Sequence, residues 1–173
     1  MAEENKLTIP WSVPEEQWEK ARRTMAKHGA HSSYDRGGDA RYQLLYGDVD
    51  FVYADKAFYG DTYGAKGINI SLFDLALALA DAYLKQQFAP GAKAKYDQLD
   101  DDLEIEFFGE DDGVRVTASD RPAALVVPRS AFERGVLSFL RGFAGAIKTQ
   151  LEGALEWESM APLKEVAARF GAN

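Results

Sequence analysis

The chain of 173 residues contains no cysteine. That excludes a disulfide framework, a thiolate metal site and a cysteine nucleophile. Histidine occurs twice, as His28 and His31 in the string "HGAH". Two histidines three apart can ligate a metal on a helix, but Gly29 falls between them at an expected helix end. They read as one histidine favourable to a helix C-terminus and one loop histidine. Long apolar runs are missing as well. The longest, "LALALA", is far short of the roughly 20 residues that a membrane span needs. The N-terminal "MAEENKLTIPW" is acidic and lacks the apolar stretch of a secretory signal. The expectation is a soluble protein kept in the cytoplasm, with no membrane partner.

Catalytic signatures are equally scarce. The sequence has no nucleophile elbow, no HExxH and no phosphate-binding glycine loop. The string "GDTYGAKG" is rich in glycine but lacks the ending of such a loop, so it reads as turn chemistry. No catalytic, cofactor-binding or metal-binding residue is assigned, and no enzyme is expected. Runs of bases are lacking too. The nearest is "KARR" (Lys20 to Arg23), offset by Glu15, Glu16 and Glu19. Phosphate contacts need clustered Lys and Arg, so direct nucleic-acid binding is not expected.

What is present is enough apolar material for one core. Hydrophobic residues make up 46 % of the chain, which argues against disorder. The length favours a single domain spanning residues 1–173. The net charge is −8, and its location matters more than its size. The stretch "DQLDDDLEIEFFGEDD", residues 97 to 112, holds nine acids and no base, while the other nineteen acids face twenty bases. One short segment therefore carries the whole imbalance, more concentrated than solubility requires.

The pattern of elements points to an α+β fold. "VPEEQWEKARRTMAKHG" predicts a helix, with Pro14 at its start, acids in its first turn and Gly29 as its stop. Trp18, Ala21 and Met25, with the stem of Arg22, form its stripe. "HSSYDRGGD" reads as a loop. "RYQLLYG" and "DVDFVYAD" predict strands, the second with Val49, Phe51 and Tyr53 alternating, and "KAFYGDTYGAKGINIS" holds one or two more. Ser71 is placed to cap a helix over "LFDLALALADAYLKQQF", which is apolar almost all round and so should be central. "LEIEFFG", "GVRVTAS" and "AALVVP" follow as strands. A long helix then runs over "RSAFERGVLSFLRGFAGAIKTQLEGALEW", and a short one over "MAPLKEVAARFG". The expected architecture is an antiparallel sheet of five to six strands packed with helices. Its halves, 41–88 and 103–145, suggest a duplicated strand-strand-strand-helix unit.

The acidic stretch invites three chemical readings. A calcium loop needs glycine at its sixth position, but counting from Asp100 puts Ile105 there, and counting from Asp97 puts Leu99 at the third. A catalytic carboxylate pair is poorly served by Glu104 and Glu106, which lie two apart on one strand face, opposite Leu103, Ile105 and Phe107. The alternation is that of a strand with one solvated face. There remains a partner-binding surface of Asp97, Asp100, Asp101, Asp102, Glu104, Glu106, Glu110, Asp111 and Asp112. Phe108 directly follows Phe107, so one of the two rings faces the acidic side and offers an apolar anchor. Aromatics at 42, 46, 51, 53, 58, 59 and 63 divide between core and interface.

In size, acidity, α+β style and lack of a catalytic motif, the chain resembles the immunity proteins of bacterial polymorphic toxin systems, of the contact-dependent or type VI secretion kind. The resemblance implies a protein that binds a cognate toxin, with a basic cleft, and occludes its active site. An acidic surface would add association rate and specificity. The rival reading is a small enzyme or ligand-binding domain with a pocket between sheet and helices. A third is a dimerising module that uses Gly135, Gly142 and Gly145 of the long helix.

Overall fold

The computed structural model describes residues 6–28, 45–62, 65–98 and 102–170. His31, Tyr42, Tyr63, Asp100, Asp101 and the stretch "HSSYDRGGD" lie outside the described residues. In chain order the elements are β1 (Trp11–Ser12), α1 (Glu15–His28), β2 (Tyr46–Val49), β3 (Val52–Tyr53), β4 (Lys56–Ala57), β5 (Asp61–Thr62), β6 (Ala65–Lys66) and β7 (Ile68–Ser71). Then come α2 (Leu72–Leu84), β8 (Lys93–Asp97), β9 (Glu104–Gly109), β10 (Gly113–Ala118), β11 (Arg121–Pro128), α3 (Arg129–Gln150) and α4 (Ala161–Phe170). The fold is α+β and its strand pairs are antiparallel.

The expected single sheet of five to six strands does not form. The strands divide into a three-stranded sheet ordered β1-β2-β7, a four-stranded sheet ordered β11-β10-β9-β8, and two-stranded ribbons β3-β4 and β5-β6. Helix α2 explains the division. Leu72, Phe73, Leu75, Ala76, Leu79, Ala80 and Ala82 are all buried, which covers most of its circumference. Such a helix needs apolar neighbours on several sides. It finds them in β2 and β7 of one sheet, β8 of the other, and helices α3 and α4. The Ser71 hydroxyl caps it, accepting from the Asp74 N–H at 3.4 Å.

Several element ends differ from the sequence expectation, and a single strand, Tyr46–Val49, crosses the expected boundary between "RYQLLYG" and "DVDFVYAD". The expected strand "DVDFVYAD" breaks after Val49. The buried Asp50 carboxylate accepts from the N–H groups of Phe51 at 2.7 Å, Tyr59 at 2.8 Å and Gly60 at 2.8 Å, and so turns the chain. Val49 and Phe51 still point inward, while Tyr53 is half-buried. Helix α2 stops at Leu84 rather than running to Phe88. Gln86 adopts a left-handed conformation (φ 55°) that carries Phe88 away from the helix line and into the core. Helix α3 ends at Gln150, and two 3-10 turns (Ala154–Glu156 and Glu158–Met160) replace the rest. Gly153 takes φ 86° just before the first of them.

Two strands, β1 and β8, have no counterpart in the sequence reading, and "KAFYGDTYGAKGINIS" holds four short strands rather than one or two. The alternation of β8 is plain once seen. Ala94 and Tyr96 are buried, while Lys93, Lys95 and Asp97 are exposed. The core holds one phenylalanine cluster on the four-stranded sheet, where Phe107 meets Phe51 at 5.7 Å, Phe88 at 6.3 Å and Phe132 at 5.8 Å between ring centroids. A second lies near the three-stranded sheet, where Phe143 meets Trp11 at 5.4 Å and Phe73 at 5.8 Å. Phe132 and Phe143 both belong to α3, so this helix ties the clusters together.

Leu79 lies at the centre of α2 with no solvent exposure. Leu79→Ala is expected to destabilise the protein by about 2–5 kcal/mol, the range for a buried leucine. The check is the urea midpoint at constant slope, and a loss below about 1 kcal/mol would place the core elsewhere.

Candidate functional site

The described part of the acidic stretch lies mainly on the outer face of the four-stranded sheet and at its β9–β10 turn. Along β9 the side chains alternate. Leu103, Ile105 and Phe107 are buried, Glu104 and Glu106 are partly covered, and Phe108 is 42 % exposed. Register sets what lies beside each outward group. Phe108 pairs with Lys93 on β8 and Arg115 on β10, and Arg115 pairs with Val126 on β11. Lys95 pairs with Glu106, and Asp97 with Glu104.

This register changes the electrostatic picture. Residues 97 to 112 contain no base, but the neighbouring strands supply them. Lys93 pairs with Glu106, and Lys95 reaches both Asp97 and Glu104 at 3.0 Å. The Arg115 Nε donates to the Glu110 carboxylate at 2.6 Å. The Lys93 ammonium holds the Glu106 carboxyl below the usual carboxylate range. Hydrogen bonds to Asp97 and Glu104 push the Lys95 ammonium up. Glu104 and Glu106 are therefore not bare solvated carboxylates, as the alternation alone implied. They belong to a cross-strand ladder of opposite charges.

Among the described acids of the stretch, Asp102, Asp111 and Asp112 make no such pair. Asp102 precedes β9, where its backbone carbonyl accepts from the Ser119 hydroxyl at 2.9 Å. Asp111 and Asp112 form the exposed tip of the β9–β10 turn. Arg129, the first residue of α3, grips that turn through its main chain. Its guanidinium donates to the carbonyls of Glu110 at 2.5 Å, Asp111 at 2.8 Å and Phe88 at 3.1 Å. Its own N–H donates to the Asp112 carbonyl at 3.2 Å. The Asp111 and Asp112 carboxylates are left facing solvent on a braced loop. Gly109 permits the close crossing beneath it, since a Cβ there would lie 1.9 Å from the Ala89 carbonyl oxygen.

Phe108 and Val126 are the exposed large apolar side chains of the described residues. Both line one open depression of about 860 Å³, together with Tyr53, Pro128 and the turn Glu110, Asp111 and Asp112. The structure thus brings Phe108, Glu110, Asp111 and Asp112 into one place. It leaves Asp97, Asp102, Glu104 and Glu106 outside the lining of that place. Val126, Pro128 and Arg129 were not anticipated, while Tyr53 was among the aromatics expected to divide between core and interface. Val126 was readable, because alternation in "AALVVP" turns it outward once Leu125 and Val127 are taken as core.

Other hollows are less suggestive. One of about 360 Å³ is lined by Trp11, Asp48, Asp50 and Val52, among others, but its buried carboxylate is already bonded to three backbone N–H groups. The space between the four-stranded sheet and the helices is filled by the rings of Phe51, Phe88, Phe107 and Phe132. Among the described residues no three His, Asp or Glu side chains converge as metal ligands, and no helix is long and apolar enough to cross a membrane. The side chains of the "HGAH" histidines lie outside the described residues. No protein family, no curated protein and no solved structure matches the chain.

Two outcomes test this surface. Lys93→Met is expected to raise the Glu106 pKa toward the ordinary carboxylate value, read from carboxyl ¹³C shifts against pH. The sign follows from the depressed folded-state value: the pair contributes above the unfolded pKa and is lost as pH falls through the folded one. An unchanged titration would mean that the pair does not form in solution. Arg129→Met removes three side-chain hydrogen bonds and is expected to cost about 1.5–3 kcal/mol. Amide exchange at Glu110–Gly113 should also accelerate, whereas unaltered exchange would show that the turn does not depend on Arg129.

Proposed function

We propose that this chain is a binding protein of the immunity type, which occludes the active site of a basic protein partner. The observation that carries this reading is a coincidence at one end of the four-stranded sheet. The exposed apolar pair, Phe108 and Val126, shares a depression with the free carboxylates of a braced turn, Asp111 and Asp112. An apolar anchor with charge at its rim is the usual anatomy of a protein interface. A rigid turn loses little entropy on binding. The acids of β8 and β9 contribute less, because their lysine partners offset them at close range. The attraction for a basic cleft thus concentrates on the turn, with Asp102 beside β9 as a second contributor. The filled space between sheet and helices weighs against the rival of an internal substrate pocket.

The test uses the products of neighbouring toxin genes as candidate partners, with binding and toxin inhibition both measured. Asp111→Asn/Asp112→Asn is expected to slow association roughly three- to tenfold at low salt and to flatten its salt dependence. Phe108→Ala is expected to speed dissociation, with a loss of about 2 kcal/mol. If a partner is inhibited equally by both variants, the interface lies elsewhere and this assignment falls.

A further inference from the structure

The sequence shows no run of bases outside Lys20 to Arg23, but helix α3 builds one in space. Its exposed side carries Arg134, Ser138 and Arg141, at spacings of four and three that place them on one face. The N-terminal segment adds Lys6, because Leu7 lies against Gly135, where a Cβ would come within 2.6 Å of the Leu7 carbonyl oxygen. Lys6, Arg134, Leu137, Ser138 and Arg141 line one depression of about 360 Å³. That is the lower end of small-ligand sites.

Several bases among the described residues are already neutralised by an acid. Lys85, Lys93, Lys95, Arg115, Lys164 and Arg169 each hold a carboxylate. Lys6, Arg134 and Arg141 make no ion pair with any described residue. Among the described residues no acid lines the depression. The nearest in sequence, Glu133, is half-buried and acts instead on Tyr83 of α2, whose phenol is pushed up by burial and then by this carboxylate. Three like charges around one hollow repel one another in the free protein. Lys148, one heptad beyond Arg141, opens onto a different hollow that includes Glu152 and Glu156.

We propose that this depression binds the phosphate group of a small soluble phosphate ester. Two guanidinium forks offer paired N–H donors matched to phosphate oxygens. The Lys6 ammonium adds charge, and the Ser138 hydroxyl adds a neutral donor between the arginines. A single carboxylate would balance only one of the three charges. The half-buried Leu137 gives the carbon part of the ester a small apolar wall. The stripe lacks a large exposed apolar side chain to enter a bilayer, which favours a soluble ester over a lipid headgroup. None of the residues that line the site also lines the depression of Phe108 and Val126.

The test is a ¹H–¹⁵N NMR titration of the full chain at pH 7.5 and constant ionic strength. The probes are inorganic phosphate and glycerol 3-phosphate, with sodium acetate as control. Both phosphates are expected to shift the amides of Lys6 and of residues 134–141 in a saturable manner, with acetate inert. Arg134→Gln/Arg141→Gln should weaken binding at least tenfold, with spectra elsewhere unchanged because glutamine is a good helix former. Lys20→Gln/Arg23→Gln makes the same charge change on α1 and should leave binding intact. Equal shifts with acetate, or equal weakening by both double variants, would show a solvated basic face and overturn the site. Co-sedimentation with phosphatidic acid vesicles, absent with phosphatidylcholine vesicles and abolished by the α3 variant, would overturn the assignment to a soluble ligand.

Discussion

The contact of Phe132 with Phe107 and Phe88 is the one on which the remaining structure depends. Their ring centroids lie 5.8 Å and 4.9 Å from Phe132. This contact seats the first turns of α3 against the four-stranded sheet. Arg129 is one turn earlier on the same helix, so its reach to the Glu110 and Asp111 carbonyls is fixed by where Phe132 sits. Phe139 and Phe143, two and three turns later, fix the other end of α3 against Trp11. Apolar packing therefore decides the position of an acidic turn. Electrostatics alone would scatter the acids rather than gather them.

Most of what was legible in the fold rested on local signal, although the local alternation of β8 was passed over. Leu103, Ile105 and Phe107 alternate with glutamates, and a strand with that inner face forms. Ser71 precedes an apolar run, and a capped helix begins there. Most of what failed was set at a distance in sequence. The break at Asp50 depends on donors at Tyr59 and Gly60, which a period-two pattern cannot register. The early end of α2 reflects the pull of Phe88 toward Phe132, a contact across more than forty positions. An all-round apolar helix foretold burial on several sides, but not that two separate sheets would provide it.

The candidate site follows the same division. Phe108 was readable as an outward ring from its place after Phe107. Its partner Val126 comes from another strand and depends on the register of two hairpins. Charge was the quantity most distorted by linear reading. Residues 97 to 112 look like an unbroken acidic block, but antiparallel pairing lays Lys93 and Lys95 beside Glu104 and Glu106. Helix α3 shows the converse. Arg134 and Arg141 are seven apart and look scattered, although the helical period sets them in line.

Net charge is thus a poor guide to the field that a partner meets. Exposed charges are screened over about 8 Å at physiological salt, and within that range a paired lysine and glutamate largely offset each other, so unpaired groups dominate. The braced turn projects negative charge through Asp111 and Asp112, while the hollow on α3 projects positive charge through Lys6, Arg134 and Arg141. A chain of net charge −8 therefore presents two surfaces of opposite sign.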